Sequence, residues 1–270
     1  MGSDFVEDYT YVVLIKQVLD MDEVEFDYEE GRIDRSSATP EPNPFDLNAL
    51  EEAVRLKEDT GGKVVAISMG PSQAESTLRD GLARGADEAI LLTGQEFAGA
   101  DTWATSLALG RAIEALEGYD LVLCGEKTVD GDTGQVGPEV AELLGIPHVC
   151  FASELEQTEP GAVEVEAEAW GATYRKKMAL PGLVTVTKDI NEPRLPSFSD
   201  KRAAKKAEIK HWGAEEIGED PDNLGISGSP TYVADTEIPP PDKREALVIR
   251  EEVGDAVNKL LEHVELGGLG

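Results

Sequence analysis

Basic residues are scarce in this chain. Its 270 residues include 24 Lys and Arg against 55 Asp and Glu, a formal net charge of -31 at pH 7. A field of that sign repels phosphate backbones and anionic headgroups, which argues against nonspecific binding to nucleic acid or to a membrane surface. Cysteine is scarcer still. Cys124 and Cys150 both sit in apolar runs, LVLC and PHVCF, so buried free thiols are expected rather than a disulfide. The three histidines are scattered, and no local Ser/His/Asp or Cys/His arrangement is present, which argues against hydrolytic catalysis. No uninterrupted apolar stretch approaches the ~18 residues of a membrane span, so no integral membrane protein is expected. The opening MGSDFVEDYT lacks the basic and apolar regions of a signal peptide, which predicts a cytoplasmic location.

What is present is a strongly patterned chain. Hydrophobic residues make up 40% of it, and the acidic residues are spread along its length, so the acidity reads as a solvated surface suited to high salt rather than as disorder. From residue 11 to about 150, short apolar runs alternate with amphipathic segments, the βαβ signature of a parallel sheet. Tyr11 to Lys16, Lys63 to Met69, Glu88 to Leu92 and Asp120 to Cys124 read as strands buried on both faces. Asn43 before Pro44 reads as a helix N-cap, and Leu47, Leu50 and Val54 recur on one helical face after it. Further helices are predicted at about Ser72 to Ala83, Asp101 to Leu116 and Gln135 to Leu144, with a small hairpin over Val24 to Ile33. After Pro147, VEVEAEAW and YRKKMALPGLVTV suggest antiparallel strands extending the sheet.

The expected fold is therefore α/β, an open and mostly parallel sheet flanked by helices, Rossmann-like or adenine-nucleotide alpha-hydrolase-like, with added antiparallel strands and an extended C-terminal arm. Residues 1–194 are assigned to the α/β nucleotide-binding domain and 195–243 to a recognition loop and arm, in which the Gly/Ser/Pro-rich Leu224 to Pro230 makes poor core. Residues 244–270 are assigned to a C-terminal helix.

Open parallel sheets bind ligands beyond the carboxyl ends of their strands, at a topological switch point. Three features fall at such ends: Met69-Gly70-Pro71, Asn43-Pro44-Phe45-Asp46, and the segment Gly125 to Pro138. The last leaves a strand as a glycine-containing loop and leads into a helix, so its N–H groups and hydroxyls suit phosphate oxygens. It is neither GxGxxG nor a Walker loop, and triphosphate hydrolysis is unsupported. Asp130 and Asp132 begin a cation-loop pattern that Gly134 and Ala141 break, so no metal is expected and a structural turn competes with the binding reading. The basic stretch Lys201-Arg202-Ala203-Ala204-Lys205-Lys206, preceded by Leu195 and Phe198, reads either as a solvated helical face or as a docking patch in so acidic a chain.

NPFDLNALEEAVRLKE, SMGPSQAESTLRDGLARGADEAILL, LVLCGEKTVDGDTGQVGPEVAELLGIP and VTKDINEPRLPS, with VVLIKQV at the beginning, together resemble electron-transfer flavoprotein β subunits over roughly residues 11 to 210. The resemblance implies an adenine-nucleotide domain paired with an α subunit that carries FAD, passing electrons between redox partners such as a dehydrogenase or a quinone oxidoreductase. It places the β-subunit nucleotide, AMP in housekeeping forms or FAD in bifurcating and nitrogen-fixation-associated forms, at Leu14, Asn43, Pro44, Phe45, Asp46, Met69, Gly125, Glu126, Lys127, Thr128, Val129, Asp130, Gly131, Asp132, Thr133, Gly134, Gln135 and Val136.

DGDTGQVGP resembles the bifurcating group more than the AMP-binding group, so FAD is favoured. Family members usually carry Ala where this loop has Gly134. By analogy Phe45 and Met21 face the partner's flavin. The NEPR motif and the loop after it imply partner contacts at Arg194, Leu195, Phe198, Lys201 and Arg202, although the usual apolar pair is replaced here by Lys201-Arg202. No side chain is expected to act as a catalytic acid or base. The competing reading is a stand-alone nucleotide-sensing, stress-type α/β domain without redox activity; it leaves the NEPR motif and the basic cluster unexplained.

Overall fold

A computed structural model describes residues 9–20, 25–27, 32–34, 39–234 and 248–266. In chain order these form β1 (Thr10–Leu14), β2 (Gln17–Leu19), β3 (Glu25–Asp27), β4 (Arg32–Asp34), β5 (Pro40–Pro42), α1 (Pro44–Thr60), β6 (Lys63–Met69), α2 (Glu75–Arg84), β7 (Glu88–Leu92), α3 (Thr102–Glu114), β8 (Leu121–Gly125), α4 (Val136–Leu144), β9 (His148–Glu159), β10 (Ala162–Ala169), β11 (Ala172–Ala179), β12 (Gly182–Val186), α5 (Phe198–Ala204), β13 (Lys210–Trp212), α6 (Gly225–Gly228) and α7 (Val253–Leu266).

Nine strands make one sheet in the order β11-β10-β9-β12-β8-β1-β6-β7-β13. Pairing is parallel from β9 through β13 along that order and antiparallel between β9, β10 and β11. The two faces are read directly from the central strand. Tyr11 and Val13 pack with Ala49, Leu50, Ala53 and Val54 of α1 and Leu78 of α2, while Val12 and Leu14 pack with Ala108, Ala112 and Ile113 of α3 and Val140 and Ala141 of α4. Helices thus cover both faces, and each strand needs apolar residues at successive positions rather than alternate ones. The predicted strands and the α/β class agree with this architecture. The predicted hairpin appears as the antiparallel pair β3–β4.

Two readings are corrected. YRKKMALPGLVTV does not form antiparallel strands throughout: β11 pairs antiparallel with β10, but Gly182 to Val186 forms β12, inserted parallel between β9 and β8. Pairing partners are set by long-range packing, which the local alternation of residues does not encode. Nor is Leu224 to Pro230 poor core throughout. β13 pairs with β7 as the ninth strand, and Ala214, Ile217 and Leu224 are buried in the cluster on the α3/α4 face, with Leu224 1% exposed. Asp101, which caps α3 by accepting from the Ala104 N–H at 3.0 Å, also accepts from the Thr231 N–H at 2.9 Å and hydroxyl at 2.8 Å, and so ties that segment down.

The chain divides into two compact units, Met1–Ala234 and Asp235–Gly270. The second holds α7, which starts later than the sequence pattern suggests and carries Val253, Val257, Leu260 and Leu261 at helical spacing. Both cysteines are free, Cys124 buried and Cys150 half-buried. Among the described residues no helix is long and apolar enough to cross a membrane.

Candidate functional site

The strand order reverses at β1. The chain runs from β1 through α1 to β6 and β7 on one side, then returns through α3 to β8 on the other, so the C-terminal ends of β1 and β8 flank the switch-point crevice. Leu14 ends β1, and Gly125 ends β8 and opens the loop that reaches α4 at Val136. Pro44 is the first residue of α1, with Phe45 half-buried behind it, and Met69 ends the neighbouring β6. The structure therefore places the three motifs at the C-terminal ends of neighbouring strands, about the switch point. Met21 lies outside the described residues.

The loop is held from both sides. Asn43, fully buried, occupies the N-cap position of α1 as expected, but its side chain makes no bond to the helix. Its Nδ2 donates to the Lys127 carbonyl at 2.9 Å and its Oδ1 accepts from the Val129 N–H at 3.2 Å. The carboxylate of Asp46, 4% exposed, accepts from the Lys16 N–H at 2.8 Å through Oδ2 and from the Gly125 N–H at 2.9 Å through Oδ1. A side chain at Gly125 would place Cβ 2.5 Å from the Phe45 Cβ and 2.7 Å from the Asp46 Oδ1, so glycine is required there. Burial pushes the Asp46 carboxyl up to about 6, against the opposing pull of those two N–H donors.

Charge is arranged along the rim. Lys16 Nζ reaches both Asp130 oxygens at 2.8 Å; burial pushes the Asp130 carboxyl up, but the bonds from Lys16 and Thr128 and the Lys16 charge together leave it below its ordinary value. Lys127 pairs with Asp132 at 2.8 Å and lies 5.8 Å from the centroid of the Phe45 ring. Burial raises the Glu126 carboxyl, whose residue is anchored through its N–H to the Val186 carbonyl of β12 at 2.9 Å. Thr128 closes the turn, its carbonyl accepting from the Asp132 N–H at 2.8 Å and its Oγ1 from the Gly131 N–H at 3.3 Å. Asp132 and Gly134 have φ of 51° and 63°. The glycine adopts that left-handed conformation without the strain an alanine would meet.

Beyond the turn the loop is open. Thr133 and Gln135 are exposed, and among the described residues their side chains make no hydrogen bond, nor do the backbone N–H groups of Thr133, Gly134 and Gln135. Unpaired donors just before the N-terminus of α4 suit an anionic oxygen such as a nucleotide phosphate. Gly137 seats that helix against the sheet: a Cβ there would come within 2.6 Å of the Thr185 Cγ2 and 3.0 Å of the Cys124 Sγ. The donor set fits a phosphate-bearing group. The polar atoms of Asn43 and Asp46, by contrast, are already taken by the chain itself.

The second group of candidates divides in two. Arg194 is locked onto α1: its guanidinium donates to Glu51 at 2.8 and 3.2 Å and to Glu58 at 2.6 and 3.0 Å, and its N–H also donates to Glu51 at 3.0 Å. Burial raises the Glu51 carboxyl, but the bonds from Arg194 and Arg55 outweigh it and leave Glu51 below its ordinary value. Asn191 adds bonds to the Asn48 carbonyl and to Glu52, each at 2.9 Å. Leu195 and Phe198, 87% and 85% exposed, project from the segment so held, with exposed Lys201 and Arg202 on α5. A capping box between Ser197 and Asp200 starts that helix, and Arg79 holds its end at the Ala204 carbonyl, 2.8 Å away. Sequence reasoning missed Lys16, Asn48, Glu51 and Glu58, whose partners lie far along the chain.

The reversal of strand order at β1, with a glycine loop leading from β8 to a helix, defines a doubly wound α/β protein. The Electron transfer flavoprotein domain family matches residues 31–217. A protein of Thermoanaerobacterium thermosaccharolyticum named electron transfer flavoprotein subunit beta is 44% identical over 254 residues, covering 94% of this chain and 96% of that protein. Protein FixA of Sinorhizobium fredii is 38% identical, covering 94% and 90%, and the caffeyl-CoA reductase-Etf complex subunit CarD of Acetobacterium woodii is 38% identical, covering 93% and 97%. The chain belongs to the electron transfer flavoprotein family, among its β subunits.

Proposed function

We propose that this chain is the nucleotide-binding β subunit of a heterodimeric electron transfer flavoprotein, with FAD rather than AMP in the crevice between β1 and β8. The observation that carries the reading is the open run of donors from Thr133 to Gln135 at that crevice. The likeness of the DGDTGQVGP loop to the bifurcating group favours FAD and a bifurcating role, and similarity at 38% identity to a subunit of a caffeyl-CoA reductase-Etf complex supports work within a redox complex. Bound FAD would supply the two-electron and one-electron redox chemistry. Thr133 and Gln135, with the adjoining backbone N–H groups, receive the phosphates, while the partly buried Met69 offers apolar surface at the end of β6. No side chain of the site needs to transfer a proton.

A partner subunit carries the second FAD, and the exposed Leu195 and Phe198, flanked by Lys201 and Arg202, dock an acidic redox partner such as a dehydrogenase or a quinone oxidoreductase. The reading is tested by co-expressing the chain with an electron transfer flavoprotein α subunit from the same genome. It predicts a complex with one copy of each chain whose flavin is reduced by an acyl-CoA or NADH donor. A chain that stays free of the α subunit, or pairs only with itself, would favour the stand-alone nucleotide-sensing domain.

A further inference from the structure

Asp46 stands where two adjacent parallel strands part. Past Val13 and Leu123, the last paired residues of β1 and β8, the backbone N–H groups of Lys16 and Gly125 find no partner across that strand pair, and one carboxylate receives both, at 2.8 and 2.9 Å. Immediately beside it Asn43 spans two rungs of the loop, holding the Lys127 carbonyl and the Val129 N–H. Both side chains are buried, and both are bonded to the chain's own backbone. Glycine at 125 is what lets the carboxylate approach.

We propose that Asp46, supported by Asn43, is a positioning residue for the nucleotide site: it makes no contact with the nucleotide and sets affinity by fixing the exit of β8, and with it the donors from Thr133 to Gln135. The inference rests on the nucleotide reading above. A carboxylate is suited to the task because it accepts two N–H donors at once, whereas a neutral amide offers one acceptor and turns an NH2 group toward the second donor. The charged and titratable groups around it are Lys16, whose ammonium is held by Asp130, and the buried Cys124 thiol, which burial and the nearby Asp46 charge both push up.

The test compares the nucleotide-depleted heterodimer of the wild type with Asp46→Asn and Gly125→Ala, titrated with FAD and with AMP at a temperature where all three are folded. Loss of one charge-assisted bond at the hinge of the loop predicts affinity lowered about tenfold in each variant. Hydrogen exchange at the amides of Lys16 and Gly125 should quicken in Asp46→Asn before any nucleotide is added. The wild-type advantage over Asp46→Asn should also fade as pH drops through about 6, where the carboxyl takes up its proton. Unchanged affinity in both variants, with only a lower Tm, would overturn the positioning role and leave the nucleotide reading standing. A wild type that binds neither nucleotide would overturn both.

Discussion

Replacing Arg194 with Ala tests whether the NEPR segment is fastened to α1 as described. The substitution removes the contacts at 2.8 and 3.2 Å to Glu51 and at 2.6 and 3.0 Å to Glu58. The Glu58 half is worth little, because that side chain is 54% exposed. Glu51 is different, with its side chain 5% exposed. Removing one partner of a buried pair costs ~3–5 kcal/mol where nothing compensates. Arg55 remains bonded to Glu51 at 2.7 Å, and Arg194 is itself partly screened by solvent, so about 2 kcal/mol is the expected loss.

At ~2–4 °C per kcal/mol for a chain of this size, Tm should fall by about 4–8 °C in thermal unfolding followed by circular dichroism at pH 7 and constant high salt. The sign of the pH dependence follows from Glu51. Its folded-state carboxyl lies below the ordinary value, so its contribution is fully present above that value and is lost as pH falls through the folded one. The gap between wild type and Arg194→Ala should therefore narrow below about pH 4. Arg194→Lys, lacking the planar fork, should recover less than half of the loss. A fall of under about 2 °C, or a gap that does not change with pH, would refute the reasoning.

Leu224→Ala should destabilise the first unit by about 2–4 kcal/mol in denaturant unfolding, because a fully buried leucine is truncated; a loss under about 0.5 kcal/mol would return that segment to a peripheral arm. Leu195→Ser and Phe198→Ser should leave Tm within about 1 °C, both side chains being exposed, yet slow electron transfer from the redox partner at limiting concentration. An unaltered rate would remove the docking role. Burial raises the Asp46 carboxyl from 3.8 to about 6, so its charged form opposes folding above that pH and the penalty is relieved as pH falls toward 3.8. Relative to Asp46→Asn, wild-type stability should rise by up to about 3 kcal/mol across that window, read by urea unfolding.

Much of the sheet was legible because burial on both faces leaves continuous apolar runs, as in Tyr11 to Leu14 and Leu121 to Cys124. The loop from Gly125 was legible through its glycines and its place after such a run. What escaped was long-range. Asn43 has the local signature of a helix cap, but its side chain is bonded to residues more than 80 positions away. The insertion of β12 between β8 and β9 depends on which edge is free once the other strands have paired, and Leu224 is a single apolar residue in a polar stretch, without a periodicity to betray its burial. Arg194 is expected, from the NEPR motif, at a partner contact. Its partners are carboxylates on α1, Glu51 and Glu58.

The most direct test of the central claim is the nucleotide content of the heterodimer, purified in high salt, denatured and resolved by chromatography. The account predicts two FAD per heterodimer, one of them lost or weakened when Thr133 and Gln135 are both replaced with Ala. One FAD with one AMP per heterodimer would contradict the assignment of FAD to the crevice between β1 and β8.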